Sequence, residues 1–180
     1  MDMSLYRKCI DDMKSFPEKL KMLRFAAIGE PLLHERIADM VAYAKQADKE
    51  GLTMVAKLFR AAAEAETIHA HTHLRNAGKI SDTAANLQDA ISGETYEFTK
   101  MYPEMIKDAE AEGNNAVAKY MGFVNAVEEV HAKLYQKAAA NELSNTDFYI
   151  CPVCGYTHEG PMTEACPVCK APAANFYTVG

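Results

Sequence analysis

The sequence predicts a mainly α protein, an antiparallel four-helix bundle followed by a small cysteine-held metal ribbon. From Pro17 to about Asn141 it is rich in Ala, Leu, Met, Glu and Lys, which favour helices, and strand signals come only after Asp147. Breaks at Gly51, at Gly78 to Asp82 and at Gly113 divide that stretch into four long segments. Beyond it stand Cys151-Pro152-Val153-Cys154 and Cys166-Pro167-Val168-Cys169, two knuckles separated by eleven residues.

The expected helices run over 18–50, 53–76, 84–111 and 114–141, with Thr53 and Asn114 as N-caps and Gly51 and Gly113 as C-terminal stops. Short breaks after the first and third helices make each pair an antiparallel hairpin, and the longer link near Gly78 crosses the bundle. An internal repeat supports the pairing. Ala47, Glu50, Gly51, Val55, Ala56 and Lys57 recur 62 residues later as Ala109, Glu112, Gly113, Val117, Ala118 and Lys119. At the same offset Glu66 and His69 recur as Glu128 and His131. Residues 142–148 form a polar linker, and some thirty residues of Pro- and Gly-rich ribbon follow, too few to fold on apolar burial alone. The expected domains are 1–143 and 148–180.

A net charge of −6 supplies no basic face, which argues against a nucleic-acid partner. No apolar run approaches a membrane span, and the N-terminus, with Asp2, Lys14 and Lys19 among its apolar residues, lacks a signal peptide's organisation. The expectation is a soluble cytoplasmic protein without a membrane partner. Four of the five cysteines sit in the knuckles, a distribution suited to metal ligation. Cys9 stands apart, a small apolar packing residue by default.

The expected buried stripe of the second helix reads Val55, Phe59, Ala62, Glu66, His69, His73, and that of the fourth reads Val117, Met121, Val124, Glu128, His131, Tyr135. The third adds Leu87, Ala90, Glu94, Glu97, Met101 and Met105. Ionisable groups thus interrupt apolar stripes, and several unpaired carboxylates buried together would be driven to protonate unless cations neutralise them. A Glu three residues before a His puts carboxylate and imidazole on one helical face, within reach of one ion. A single such motif is more often a solvated Glu beside a satisfied core His. Two in register on a repeat, joined by Glu94 and Glu97, outweigh that reading. His71 falls off the stripe, whereas His73 lies on it, one turn beyond His69. Oxygen ligands with one imidazole per metal suit iron or manganese, and four thiolates suit iron or zinc. The ten methionines fill gaps in the bundle.

Two Glu-x-x-His helices with single Glu residues from two others form the ligand set of ferritin-like dimetal carboxylate bundles. With both metal signatures present, the chain resembles rubrerythrin over nearly its whole length. The resemblance rests on Gly29-Glu30 after Phe25-Ala26-Ala27, on Glu66-Thr67-Ile68-His69-Ala70, on the run from Gly93 to Pro103, on Glu128-Glu129-Val130-His131, and on Cys151 through Cys169. It implies a ferritin-like diiron four-helix bundle joined to a rubredoxin-like one-iron domain. By matching motifs, Glu66, Glu94, Glu97, Glu128, His69 and His131 look like diiron ligands. Cys151, Cys154, Cys166 and Cys169 would hold the single iron, with zinc as a possible substitute. The family's exchange of a carboxylate for a histidine on reduction would fall to Glu97 and His69, and Tyr102 resembles the tyrosine that hydrogen-bonds near the diiron centre.

The first helix departs from the pattern. Counted back from Gly51, the family's ligand position falls on Leu33, and Glu30 reaches it only with three residues inserted after it, an irregularity that Pro31 permits. Glu30 shares the side of Leu23, Ala27, Ile37 and Ala44, so it is the expected ligand, with Glu35 and His34 as alternatives. The position of the family's other buried tyrosine is apolar here.

The implied activity is reduction of hydrogen peroxide to water in oxidative-stress defence, with electrons from a reductase or a rubredoxin relayed through the one-iron domain. In family members the carrier of one subunit faces the diiron site of its partner, which implies a homodimer, with or without exchanged elements. The alternatives are a ferroxidase or iron-sequestering protein, which needs no electron-input domain, and a zinc ribbon serving protein contacts.

Overall fold

The structure, a computed structural model, describes residues 31–179. Glu30, Cys9 and the beginning of the expected first helix lie outside the described residues. The chain divides into two compact units with the boundary between Ile80 and Ser81.

The first unit contains α1 (Pro31–Lys49) and α2 (Thr53–Asn76). Between them Gly51 takes φ +75°, its N–H donates to Asp48 O at 3.1 Å, and the Leu52 N–H reaches Ala47 O at 2.9 Å. That double bond closes the free carbonyls of a helix end around a left-handed residue. Thr53 is the first helical residue, with Leu52 in the cap position and no side-chain cap bond, so the expected Thr53 cap does not form. Among the described residues the buried ones of the pair are all alanines: Ala44 and Ala47 on α1, Ala56, Ala63 and Ala70 on α2. Within this pair the buried line of α2 runs through Ala56, Ala63 and Ala70, one residue beyond the stripe expected to face the bundle interior. Alanine lets two helix backbones approach closely, and larger neighbours are pushed to the margins of the contact. There Tyr43 and Phe59 meet edge to face at 5.4 Å, and Arg60 pairs with Asp48 at 2.8 Å.

The second unit opens with α3 (Thr83–Tyr96), capped by Asp82, whose carboxylate accepts from the Ala85 N–H at 2.8 Å. The helix expected over 84–111 is interrupted. A π-helical turn occupies Glu97–Met101 before α4 (Tyr102–Ala111), and the Tyr102 N–H reaches back five residues to Glu97 O. Pro103 explains the interruption, since it has no N–H and its ring crowds the carbonyl of Thr99, four residues earlier. At Gly113 (φ +74°) the end of α1 is repeated: Gly113 N–H to Glu110 O at 3.0 Å, Asn114 N–H to Ala109 O at 2.8 Å. The offset of 62 read from the sequence thus reproduces the same carbonyl, glycine and returning N–H. Asn114 holds the expected cap position of α5 (Asn115–Ala139), without a side-chain cap bond.

The ribbon is a three-stranded antiparallel sheet of β1 (Phe148–Ile150), β2 (Thr157–Glu159) and β3 (Tyr177–Thr178), in the order β2-β1-β3. Its register pairs Tyr149 with His158 on one side and with Thr178 on the other. Val127 of α5, 2% exposed, packs into the cluster of Cys151, Cys154, Cys166 and Ala171, flanked by Phe123, Tyr156, Val168 and Phe176. Full burial of a valine here contributes about 1.5–3 kcal/mol. The ribbon is thereby seated on the last bundle helix of its own chain.

Candidate metal centres

Each knuckle folds by the same pair of backbone bonds. Cys151 N–H donates to Tyr156 O at 2.9 Å while Cys151 O accepts from Gly155 N–H at 3.0 Å. Cys166 repeats this with Ala171 and Lys170 at 2.8 and 3.0 Å. The turn needs positive φ after the second cysteine, at Gly155 (+82°) and at Lys170 (+66°). Cys151 Sγ lies 3.6 Å from Cys169 Sγ and Cys154 Sγ 3.7 Å from Cys166 Sγ. A tetrahedron with metal–sulfur bonds of about 2.3 Å has edges of about 3.8 Å, so the four sulfurs fit one iron or zinc ion. Burial raises the Cys151 thiol, but backbone N–H groups of Cys154 and Val153 outweigh it and the net shift is downward. Burial pushes Cys154 strongly upward. Without a cation the four sulfurs cannot all be thiolates.

The second cluster is Glu94 of α3 with Glu128 and His131 of α5. His131 Nδ1 stands 2.9 Å from Glu128 Oε2 and 3.8 Å from Glu94 Oε1. Burial, and then the negative charge of Glu128, raise the Glu94 carboxyl from 4.5 to about 7. The hydrogen bond to Glu128 leads the causes that raise His131 against its burial. A cation between two oxygens and a nitrogen would relieve the burial and repulsion that favour protonation here, and the donor set fits a hard divalent metal. Tyr102 belongs to the same surroundings, its phenol held protonated by burial and then by the charges of Glu128 and Glu97. Glu97 begins the π turn.

Glu66 and His69 lie on α2, in the first unit. Their groups are 3.5 Å apart, with the Glu66 side chain 31% exposed and that of His69 61%. His73 and His71 are also exposed. His34 and Glu35 fall in the first turns of α1.

The sequence reading did not single out Thr157. His131 Nε2 lies 3.1 Å from Thr157 Oγ1 of β2, and that hydroxyl donates to Gly155 O at 3.1 Å. Nearby, Lys137 of α5 pairs with Glu159 of β2, whose other oxygen accepts from the Ser144 N–H at 2.8 Å. No periodicity announces a bond between residues 26 positions apart in different kinds of element.

Comparison with known proteins adds to this geometry. A family model described as Rubrerythrin matches residues 40–139, and one described as Rubrerythrin, rubredoxin-like domain, matches residues 149–177. The chain is 34% identical to nigerythrin of Nitratidesulfovibrio vulgaris, over 92% of this chain and 89% of that protein. It is 31% identical to rubrerythrin-2 of Clostridium acetobutylicum, over 82% of this chain and 89% of that one. A solved structure of nigerythrin in a mixed-valence state superposes with a TM-score of 0.52 at 31% identity, covering 80% of this chain and 79% of the other. Among the described residues no helix is long and apolar enough to cross a membrane.

Proposed function

Because the chain belongs to the rubrerythrin family, whose iron-binding, oxidoreductase-type members serve oxidative-stress defence, we propose that it is a non-haem diiron peroxidase reducing hydrogen peroxide to water. Electrons from a reductase or a rubredoxin would be relayed through the iron of the ribbon. The observation that carries the reading is the sharing of α5 within one compact unit. The helix bears Glu128 and His131 of the carboxylate cluster and, through Val127, seats the four-sulfur site.

In this reading Glu30, Glu66, Glu94, Glu97, Glu128, His69 and His131 would hold the iron pair of a domain at 1–143, and the four cysteines the single iron of a domain at 148–180. When bound, the iron pair supplies two electrons and Lewis acidity toward the peroxide oxygens. Glu97, at the head of a turn whose bonding has slipped by one residue, is suited to shift its carboxylate in exchange with His69. Tyr102 would hold a proton at its hydroxyl beside the reacting oxygens. Cys169 is the least buried of the four cysteines and marks the side from which a donor would reach the ribbon. The ribbon lies against α5 of its own chain. The homodimer that the resemblance implies, with or without exchanged elements, is part of this reading. The proposed location is the cytoplasm.

The test is metal analysis with a visible spectrum of protein purified without air, followed by peroxide titration of the reduced form. Iron at both sites and rapid oxidation of the reduced protein by peroxide are expected. Reduced, iron-loaded protein that peroxide leaves unchanged would refute the peroxidase reading. An iron-sequestering role is disfavoured, because storage has no use for a redox ribbon on the helix of the carboxylate site.

A further inference from the structure

The His131 ring is held from two sides. Nδ1 faces the carboxylates of Glu128 and Glu94, and Nε2 faces the ribbon hydroxyl of Thr157 at 3.1 Å. That hydroxyl has a single proton. It sits 3.1 Å from the Gly155 carbonyl, which can only accept, so the proton is committed there and the lone pairs of the hydroxyl are turned toward Nε2. A ring nitrogen facing an acceptor must carry a hydrogen.

We propose that Thr157 is a positioning residue for the carboxylate site: with Gly155 it keeps the imidazole hydrogen of His131 on Nε2, so that an arriving cation displaces the proton of Nδ1 and meets a lone pair aimed between Glu94 and Glu128. The inference rests on the diiron reading of that site. Metal-bound histidines generally give their second N–H to a partner that fixes tautomer and ring orientation, and loss of such a partner typically costs 10–100-fold in metal affinity. Here the partner comes from the strand that follows Cys154 and Gly155. Assembly of the four-cysteine knuckle therefore sets the ligand geometry of the other centre before any electron moves. Val127 and the Lys137–Glu159 pair hold the two surfaces in register.

The test uses the full chain with zinc held by the four cysteines, which is diamagnetic, and compares wild type with Thr157→Val and Thr157→Ser. Nitrogen-15 NMR of the His131 ring is recorded without metal at the carboxylate site, at a pH where the ring is protonated on both nitrogens, and cobalt(II) is then titrated in at higher pH. The wild type and Thr157→Ser should show a slowly exchanging Nε2–H, and Thr157→Val should lose that protection and bind cobalt about 10–100-fold more weakly. Unchanged Nε2–H protection and unchanged affinity in Thr157→Val would overturn the proposal. A wild type that takes up no cobalt at the carboxylates overturns the diiron reading instead, and the Nε2–H resonance of the metal-free protein still decides the part played by Thr157.

Discussion

Lys137 near the end of α5 and Glu159 on β2 form an ion pair across the seam between helix and ribbon. The Lys137 hydrogen bond, followed by the Ser144 N–H, holds the Glu159 carboxyl below its ordinary value. A depressed carboxylate contributes stability above the unfolded value near 4.5 and loses it as the pH falls. Acidification below that value should therefore loosen this corner first. Hydrogen exchange at the Ser144 amide should speed up there, and in Glu159→Gln it should be fast already at neutral pH.

Val127 seats the ribbon by burial rather than charge. Val127→Ala should destabilise the protein by about 2 kcal/mol, the lost transfer free energy plus a residual cavity. Thermal unfolding followed by the visible absorption of the iron-loaded ribbon should fall in midpoint, with the spectrum at low temperature unchanged. An unshifted midpoint would mean that the ribbon does not depend on this contact.

Much of this architecture was legible in the sequence. Gly51 and Gly113 end helices where composition and spacing said they would, and Cys151, Cys154, Cys166 and Cys169 converge as the knuckle spacing requires. Glu128 and His131 meet one turn apart because the helical repeat places residues three positions apart on one face. What stayed hidden depends on partners remote in the chain. The alanine line by which α2 meets α1 was missed because an apolar stripe does not say which of two adjacent lines approaches the neighbouring helix most closely. Asp82 went unnoticed as a cap. The π turn at Glu97 was missed although Pro103 is its cause, since a proline is tolerated in a first helical turn as well as in a kink. Thr157 carries no motif, and only the seating of the ribbon gives it a role.

The two knuckles differ at one backbone-critical position. Gly155 takes φ +82° without strain, but Lys170 takes +66° with a side chain attached. Left-handed backbone costs a non-glycine residue about 1–2 kcal/mol, offset in part by the greater freedom of glycine in the unfolded chain. Lys170→Gly should accordingly stabilise the ribbon by about 0.5–1 kcal/mol, despite loss of the exposed bond from Lys170 Nζ to Pro167 O. Denaturant unfolding monitored at the four-cysteine chromophore measures this, and a destabilised variant would show that the lysine bond matters more than the strain.

Protein lacking metal at the carboxylates should lose stability as the pH rises. Glu94 is raised to about 7, so between 4.5 and about 7 the folded state binds more protons than the unfolded chain, and stability falls across that window. His131 is also raised, so its contribution is complete below 6.5 and is lost at higher pH, extending the decline. A divalent cation reverses the sign, because it needs the deprotonated carboxylate and the free Nδ1, and its affinity should climb over the same range. Urea unfolding at several pH values, with and without metal, should give two curves of opposite slope.

The two centres are separable by substitution. Glu97→Ala touches no sulfur and should lower peroxide turnover by about tenfold or more while the red colour of ferric four-thiolate iron persists. Cys154→Ser removes a sulfur that is 5% exposed and 3.7 Å from Cys166, so the colour should vanish and turnover driven by an external reductase should stop. A single oxidation of the chemically reduced bundle by peroxide should survive in Cys154→Ser, since the carboxylate cluster keeps its own ligands. Stopped-flow absorbance distinguishes the two variants. Full turnover in Glu97→Ala, or continued electron delivery in Cys154→Ser, would show that the division of labour between bundle and ribbon is wrong.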